Sequence, residues 1–508
     1  MEEKHFFKNL AKGSLITLGG TIAGMLLQLI IRMIIARGLG PSQYGEFVLG
    51  LTIVGLAGSF ASLGMGGALA RFIPYFQVKR EQSKLKGLFI IAGIVCLSSS
   101  LIVGIVLYLS APAIADYFAG EQSLQGILRV FATVLPFTVT ILVAKSALRG
   151  FRRMDLFVLT ESILTFGSQL GVAIIIVFMF HYSAFHLSIG YALTSIAVSI
   201  LAVLFVMRST DLFKSWGTIR AEFNTRKIFK FALPLAGSQQ VGQMRGRSDS
   251  IILGAFMTVS DVGLYNVAMP IAKLLQIGLG SINRIFMPSI THLYAKGDMK
   301  SLKKAYTTVA LWTYYLTLPL FLIIFFFAEL ILKILFGANY LNVHSALIIL
   351  SVGFFINTVT GSFGETFVAI GKPHINMMTS ICGFLSNAIL MVILVPSYGL
   401  IGATIATSIS LILACAFGGG ILYYYLRIQP FCMKHIRALT ATIVPFGILS
   451  VLFLQIPAGW QLWLLPVFII SVYITSFIGL ILLKCFEETE LDMLKGLSRR
   501  LGLRWFVA

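Results

Sequence analysis

Apolar residues in this chain gather into long runs separated by short polar segments, at about 14–36, 47–70, 87–109, 126–148, 157–180, 186–207, 229–256, 262–288, 306–332, 343–369, 374–396, 400–426, 436–456 and 462–483. At 1.5 Å of rise per residue, a helix made from each run crosses the roughly 30 Å of bilayer hydrocarbon. The pattern predicts an all-α integral membrane protein of about 14 transmembrane helices. The first run is too long for a signal-peptide core, contains Arg32 and lacks a small-residue cleavage site, so it is expected to remain as the first helix.

The polar segments are strongly asymmetric. With a cytoplasmic N-terminus, the segments facing the cytoplasm hold 30 of the 39 Lys and Arg residues, among them Arg71, Lys79, Arg80, Lys84 and Lys86, while the opposite loops hold Arg37 alone. Basic residues are kept on the cytoplasmic side during insertion. Both termini are therefore expected in the cytoplasm, with the protein in the cell (inner) membrane.

Composition sharpens this by exclusion. The chain is 58% hydrophobic and 11% charged, against about 45–50% and about 25% in soluble domains. The formal charge of +20 is taken up by topology, so no nucleic-acid partner is expected. The cysteines at 96, 382, 415, 432 and 485 show no CxxC spacing, which speaks against a disulfide or zinc framework. There is no HExxH, P-loop or GxSxG motif, and Gly38-Leu39-Gly40 follows a membrane run and not a strand. No catalytic constellation, metal or cofactor is expected, and any driving force would be a gradient; the coupling ion, H+ or Na+, stays open.

A repeat organises the chain further. Gly64-Met-Gly66 through Phe72-Ile-Pro74 returns as Gly278-Leu-Gly280 through Phe286-Met-Pro288 at an offset of 214 residues. Gln43-Tyr44-Gly45-Glu46-Phe47 pairs with Asp261-Val262-Gly263-Leu264-Tyr265 at 218, and Ala192 to Ile196 pairs with Ile405 to Ile409 at 213. Six runs separate the copies, so both keep one orientation. The expected architecture is two parallel six-helix lobes, residues 1–220 and 221–430, followed by helices 13 and 14 with a cytoplasmic tail at 431–508. Such lobes imply an inter-lobe cavity and alternating access.

Charges inside apolar runs cost about 2.5–3.5 kcal/mol each on insertion scales and mark function by default. Arg32 shares a face with Gln28 in the first run. The seventh run carries Gln239-Gln240-Val-Gly-Gln243-Met-Arg245-Gly-Arg247-Ser-Asp249, where Arg245 and Asp249 are spaced to pair and Arg247 points elsewhere. Lys273 falls mid-run, and Arg284 lies just before the counterpart of Arg71. The expected substrate-binding set is Arg32, Arg245, Arg247, Lys273, Arg284, Gln28 and Gln243, with Asp249 and Glu365 as charge-pairing or coupling groups. Arg129, Lys145, Glu161, Glu329 and Lys333 sit near run ends, where a structural role is expected. Tyr423, Tyr424, Tyr425, Trp460 and Trp463 read as interface belts.

The stretch Ala36-Arg37-Gly38-Leu39-Gly40-Pro41-Ser42-Gln43-Tyr44-Gly45-Glu46-Phe47, together with Asp249, Gly254 and Gly263-Leu264-Tyr265, resembles the polysaccharide-transport flippases of the multidrug/oligosaccharidyl-lipid/polysaccharide exporter superfamily. The resemblance covers nearly the whole chain. It implies translocation of a polyprenyl-(pyro)phosphate-linked oligosaccharide from the cytoplasmic to the outer leaflet by alternating access through a cationic cavity. It also implies membrane lipids and a glycan polymerase or glycosyltransferase machinery as partners. Alternatives are an ion-coupled multidrug exporter, a lipid II flippase or a membrane scaffold. The absence of a carboxylate from the first run disfavours an exporter of cationic drugs.

Overall fold

The computed structural model describes residues 2–118, 122–179, 183–210 and 216–486, and every regular element among them is helical. Ten of these helices are long and apolar enough to cross a membrane, or eleven when Ser123–Thr133 and Leu135–Gly150, bent by 49°, count as one span. The expected fourteen differs from this for identifiable reasons. Helix α1 (Glu2–Ala61) contains the first apolar run and most of the second, broken at Gly40, where φ is 75° and Pro41 follows. Only glycine adopts that dihedral cheaply, and the proline removes a helical N–H at the same place. Two other runs likewise share one long C-terminal helix, broken at Gly399. The seventh run is helical but too polar to qualify by composition.

The described residues pack as two compact units. Unit 1 comprises Met1–Pro270, Leu335–Ala346 and Ser380–Ser410. It contains α1, α2 (Met65–Val78), α3 (Gln82–Tyr117), α4 (Gln122–Thr133), α5 (Leu135–Gly150), α6 (Met154–Val158), α7 (Gly167–Ile174), α8 (Ala184–Arg208), α9 (Thr225–Phe256) and most of α10 (Val259–Lys273). Its core joins α2, α3, α5 and the start of α9 through Met65, Leu69, Ile73, Phe76, Leu88, Leu148 and Ala232, each nearly inaccessible to solvent.

Two contacts inside unit 1 hold the elements that build the site. At the first, α1 and α10 touch backbone to backbone. A Cβ on Gly45 would lie 1.9 Å from the Val259 carbonyl oxygen, and one on Gly263 would lie 2.1 Å from the Pro41 carbonyl oxygen. These two glycines are the ones paired by the repeat. Their neighbours extend the correspondence: Phe47 packs edge-on against Tyr191 of α8 at 4.9 Å, and Tyr265 reaches Thr407 at 3.0 Å.

At the second, the segment before α9 is strapped to the start of α3. Lys86 donates to the carbonyls of Trp216 (2.5 Å) and Ile219 (2.8 Å), and the Glu222 N–H donates to the Ser83 carbonyl at 3.0 Å. Hydrogen bonds from a charged group such as the Lys86 ammonium are worth about 1.5–3 kcal/mol each. In the same unit, Lys145 of α5 pairs at 3.5 Å with Glu161, which stands in a π-helical stretch, Leu159–Phe166, that continues α6.

Unit 2 comprises Ile271–Ile334, Leu347–Thr379 and Leu411–Ala508. It includes α11 (Ile277–Ala295), α12 (Met299–Phe326), most of α13 (Ala328–Leu335) and of α14 (His344–Val359), α15 (Phe363–Ala369), both ends of α16 (Pro373–Leu426), α17 (Met433–Leu454) and α18 (Ala458–Leu482). Phe286, Ile290, Leu302, Tyr306, Phe367 and Leu422 form one core. Phe327, Phe446, Phe453 and Phe468 form an aromatic cluster that clamps α17 to α18. Tyr424, Trp460 and Trp463 are well exposed.

Candidate functional site

The site grows from α9, whose polar run stays helical because Gln, Met and Arg are good helix formers. Arg247 leaves this helix toward α1. Its Nη1 donates to the carbonyls of Leu51 (3.3 Å) and Thr52 (3.5 Å), and the guanidinium lies where a side chain at position 55 would stand. A Cβ on Gly55 would be 1.6 Å from Nη1. Gly55 is therefore the seat of this guanidinium. Two turns earlier along α9, Gln240 accepts from the Ser59 hydroxyl at 2.8 Å, continuing the polar seam with α1.

Arg32, on the other side of the Gly40 break, interacts with the Tyr44 hydroxyl. It is also close enough to Arg247 for the two positive charges to repel. Both arginines are half-buried, whereas Tyr44 is almost wholly inaccessible. Tyr191 faces the same charge. Tyr340 pins the helix beside Arg32 by donating to the Ala36 carbonyl at 2.8 Å.

Asp249 points into a different set of partners. It is 3% exposed and accepts from the Tyr265 hydroxyl at 2.7 Å and from Thr407 at 3.5 Å. Asn266 donates to Ser250 at 2.9 Å beside it. The carboxylate thus holds α9, α10 and the middle of α16 together by hydrogen bonds to hydroxyls.

Of the residues expected at the site, unit 1 brings together Arg32 and Arg247, while Asp249 turns to Tyr265 and Thr407. Arg245 is half-buried on the same helix, while Gln28 and Gln243 are exposed. Lys273, Arg284 and Glu365 belong to unit 2. Lys273 stands with an exposed side chain at the end of α10, inside the candidate span Val259–Asn283, and Glu365 is half-buried in the first turn of α15. The side chain of Arg284 lies outside the described residues. Sequence reasoning missed Tyr44, Tyr191, Tyr265, Tyr340 and Thr407, because tyrosines read as apolar bulk or interface belt. Three of them, Tyr44, Tyr265 and Thr407, lie in the repeated segments, which was the available signal.

Half-buried guanidiniums flanked by hydroxyls suit an anionic oxygen-rich group, to which arginine presents a planar fork of donors. A family model described as polysaccharide biosynthesis protein matches residues 10–294, more than half of the chain. The chain belongs to the polysaccharide biosynthesis protein family. A second model, MatE, matches residues 234–393. With relatives that are transporters and flippases, this family member is a multi-pass membrane transport protein and not an enzyme.

Three relatives each share 24% identity with it. An uncharacterized membrane protein of Methanocaldococcus jannaschii aligns over 91% of this chain and 94% of its own length. A putative O-antigen transporter of Shigella flexneri aligns over 75% and 89%, and a probable low-salt glycan biosynthesis flippase of Haloferax volcanii over 79% and 81%. Two solved structures share the fold. A lipid II flippase in an inward closed conformation superposes with a TM-score of 0.71 at 16% identity, covering 92% of this chain and 99% of its own. An inward-facing multidrug resistance MATE family transporter does so with 0.63 at 18%, covering 80% and 95%.

Proposed function

We propose that this family member is a flippase that carries a polyprenyl-(pyro)phosphate-linked oligosaccharide from the cytoplasmic to the outer leaflet during cell-surface glycan assembly. The observation that carries the reading is the pair of half-buried, mutually repelling guanidiniums, Arg32 and Arg247. Desolvation and repulsion both oppose such a pair, and an anionic group between them relieves both. A phosphate crossing hydrocarbon needs such a path. The same charge sign disfavours a carrier of cationic drugs.

In this reading lobes 1–220 and 221–430 rock about the site, both termini are cytoplasmic, and H+ or Na+ supplies the drive. Lys273, Arg284, Gln28, Gln243 and Glu365 join the path in other states of the cycle. A glycan polymerase or glycosyltransferase supplies or consumes the glycan. The alternative reading is that the lipid carried is lipid II, a substrate of the same chemical class, as for the lipid II flippase whose fold this chain shares.

The test is neutralisation. Arg247→Gln and Arg32→Gln should each slow translocation of a lipid-linked oligosaccharide in proteoliposomes by roughly 10- to 100-fold, the worth of one charge-assisted bond. Arg247→Lys should be about as damaging if two N–H groups must meet one phosphate, and mild if charge suffices. Normal translocation by folded Gln variants would end the proposal. Orientation has its own check. In a cysteine-free background, Cys at Ser260 or Ser397 should react with an impermeant thiol reagent added outside intact cells, and Cys at Ser83 or Ser301 should not. The reverse pattern would refute cytoplasmic termini.

A further inference from the structure

Where α2 ends and α9 begins, both inside unit 1, cations and aromatic rings alternate. The Arg71 guanidinium lies 4.2 Å from the centre of the Phe231 ring and 5.7 Å from that of Phe72. The Lys227 ammonium lies 6.0 Å from Phe72 and 4.8 Å from Tyr75, and Lys79 lies 4.8 Å from Tyr75. Phe72 and Phe231 meet edge to face at 5.6 Å, so the ladder is continuous from Arg71 to Lys79. Arg71, Tyr75, Lys79 and Lys227 are all exposed, and the four ion pairs found among the described residues involve none of them.

Exposed cation–π contacts are worth about 0.5–1 kcal/mol each and fix where each cation sits, but they leave the positive charges close together. The first turn of α9 makes this worse. It carries Arg226 and Lys227 and no acidic residue, at the end of the helix where the dipole already disfavours cations. Tyr75 shows what the arrangement attracts. A hydrogen bond from Lys79, with the charge of Lys227 beside it, holds the Tyr75 hydroxyl below its ordinary pKa. Apolar residues flank the ladder, with Val78 80% and Phe223 57% exposed. Charge beside exposed apolar surface fits the headgroup layer of a membrane better than a freely dissolved ion.

We propose that Arg71, Lys79 and Lys227, held on Phe72, Tyr75 and Phe231, form a binding site for the phosphate of a lipid headgroup, separate from Arg32 and Arg247. Two sources share this chemistry: the anionic phospholipids of the leaflet and the polyprenyl pyrophosphate of the transported lipid. Assignment to the cytoplasmic leaflet rests on the orientation proposed above, whereas the binding itself does not.

The experiment is native mass spectrometry of the purified full-length protein, with phosphatidylglycerol, phosphatidylcholine and undecaprenyl pyrophosphate as probes. Phosphatidylglycerol should be retained over phosphatidylcholine. The double variant Lys79→Ala, Lys227→Ala should lower that retention about thirtyfold, as expected from about 1 kcal/mol for each basic residue near a phosphate. The Lys79→Arg, Lys227→Arg variant should keep it. Displacement of phosphatidylglycerol by a tenfold lower concentration of undecaprenyl pyrophosphate would identify the site with the transported lipid. Failure to displace it would identify the site with bulk phospholipid. Equal retention by the alanine variant and the unaltered protein, with matching thermal unfolding, would overturn the proposal. Loss of translocation in the Arg247 variants is read separately, so either proposal can fail alone.

Discussion

Gly45→Val and Gly263→Val should each abolish recovery of folded protein from membranes, whereas Gly447→Val in α17 should not. The reason is the backbone-to-backbone crossing of α1 and α10. A side chain at Gly45 would stand 1.9 Å from the Val259 carbonyl oxygen, and one at Gly263 would stand 2.1 Å from that of Pro41, while no atom lies within 4 Å of a Cβ at Gly447. Overpacking usually costs about 1–3 kcal/mol because a neighbouring side chain can turn away. Here the neighbour on each side is helix backbone, so relief requires the helices to separate. That takes Arg32 and Tyr44 away from α9 and α10. The measurement is the yield of monodisperse protein after mild detergent extraction, with thermal unfolding of what is recovered. Normal yield and unfolding for both variants would show that the crossing is not needed for the fold.

The glycine pair is legible in the sequence as a repeat but not as a contact. Matching Gly45 to Gly263 needs only the residue order, whereas their touching depends on where the Gly40 break aims the second half of α1. Period and apolarity make the helices legible because both are local properties, and the bilayer allows few alternatives to a helix. The polar run of α9 stands out in the sequence, because charge inside a span is expensive wherever it lies. Its partners do not. One nitrogen of Arg247 donates to carbonyls of Leu51 and Thr52, which every residue possesses and no motif marks. The spacing that suggests Asp249 and Arg245 as mates on one helix says nothing of Tyr265 and Thr407, which approach from α10 and α16. Lys273 is legible in its position, inside the candidate span Val259–Asn283, but what its exposed side chain meets depends on packing that residue order does not carry.

Asp249→Ala should be the most damaging single change among the polar residues of α9, and Asp249→Asn should separate its two roles. The carboxylate is 3% exposed and accepts from Tyr265 at 2.7 Å and Thr407 at 3.5 Å, so alanine removes the acceptor around which these buried hydroxyls are arranged. Losing the bond from Tyr265 and leaving a gap in a buried polar cluster costs about 1–3 kcal/mol, which should appear as a fall in unfolding temperature and in yield. Asparagine keeps an acceptor oxygen for Tyr265 in nearly the same volume and should fold close to normally. It removes, however, a negative charge two residues from Arg247, in a helix that also carries Arg245. If that charge offsets the arginines enough for a bound phosphate to be released, Asp249→Asn should bind a polyprenyl pyrophosphate probe more tightly and translocate it at least about tenfold more slowly. Each 1.4 kcal/mol, approximately, of extra binding that is not matched in the transition state costs a factor of about ten in rate. A stable Asp249→Asn protein that binds and translocates normally would confine this carboxylate to holding helices together.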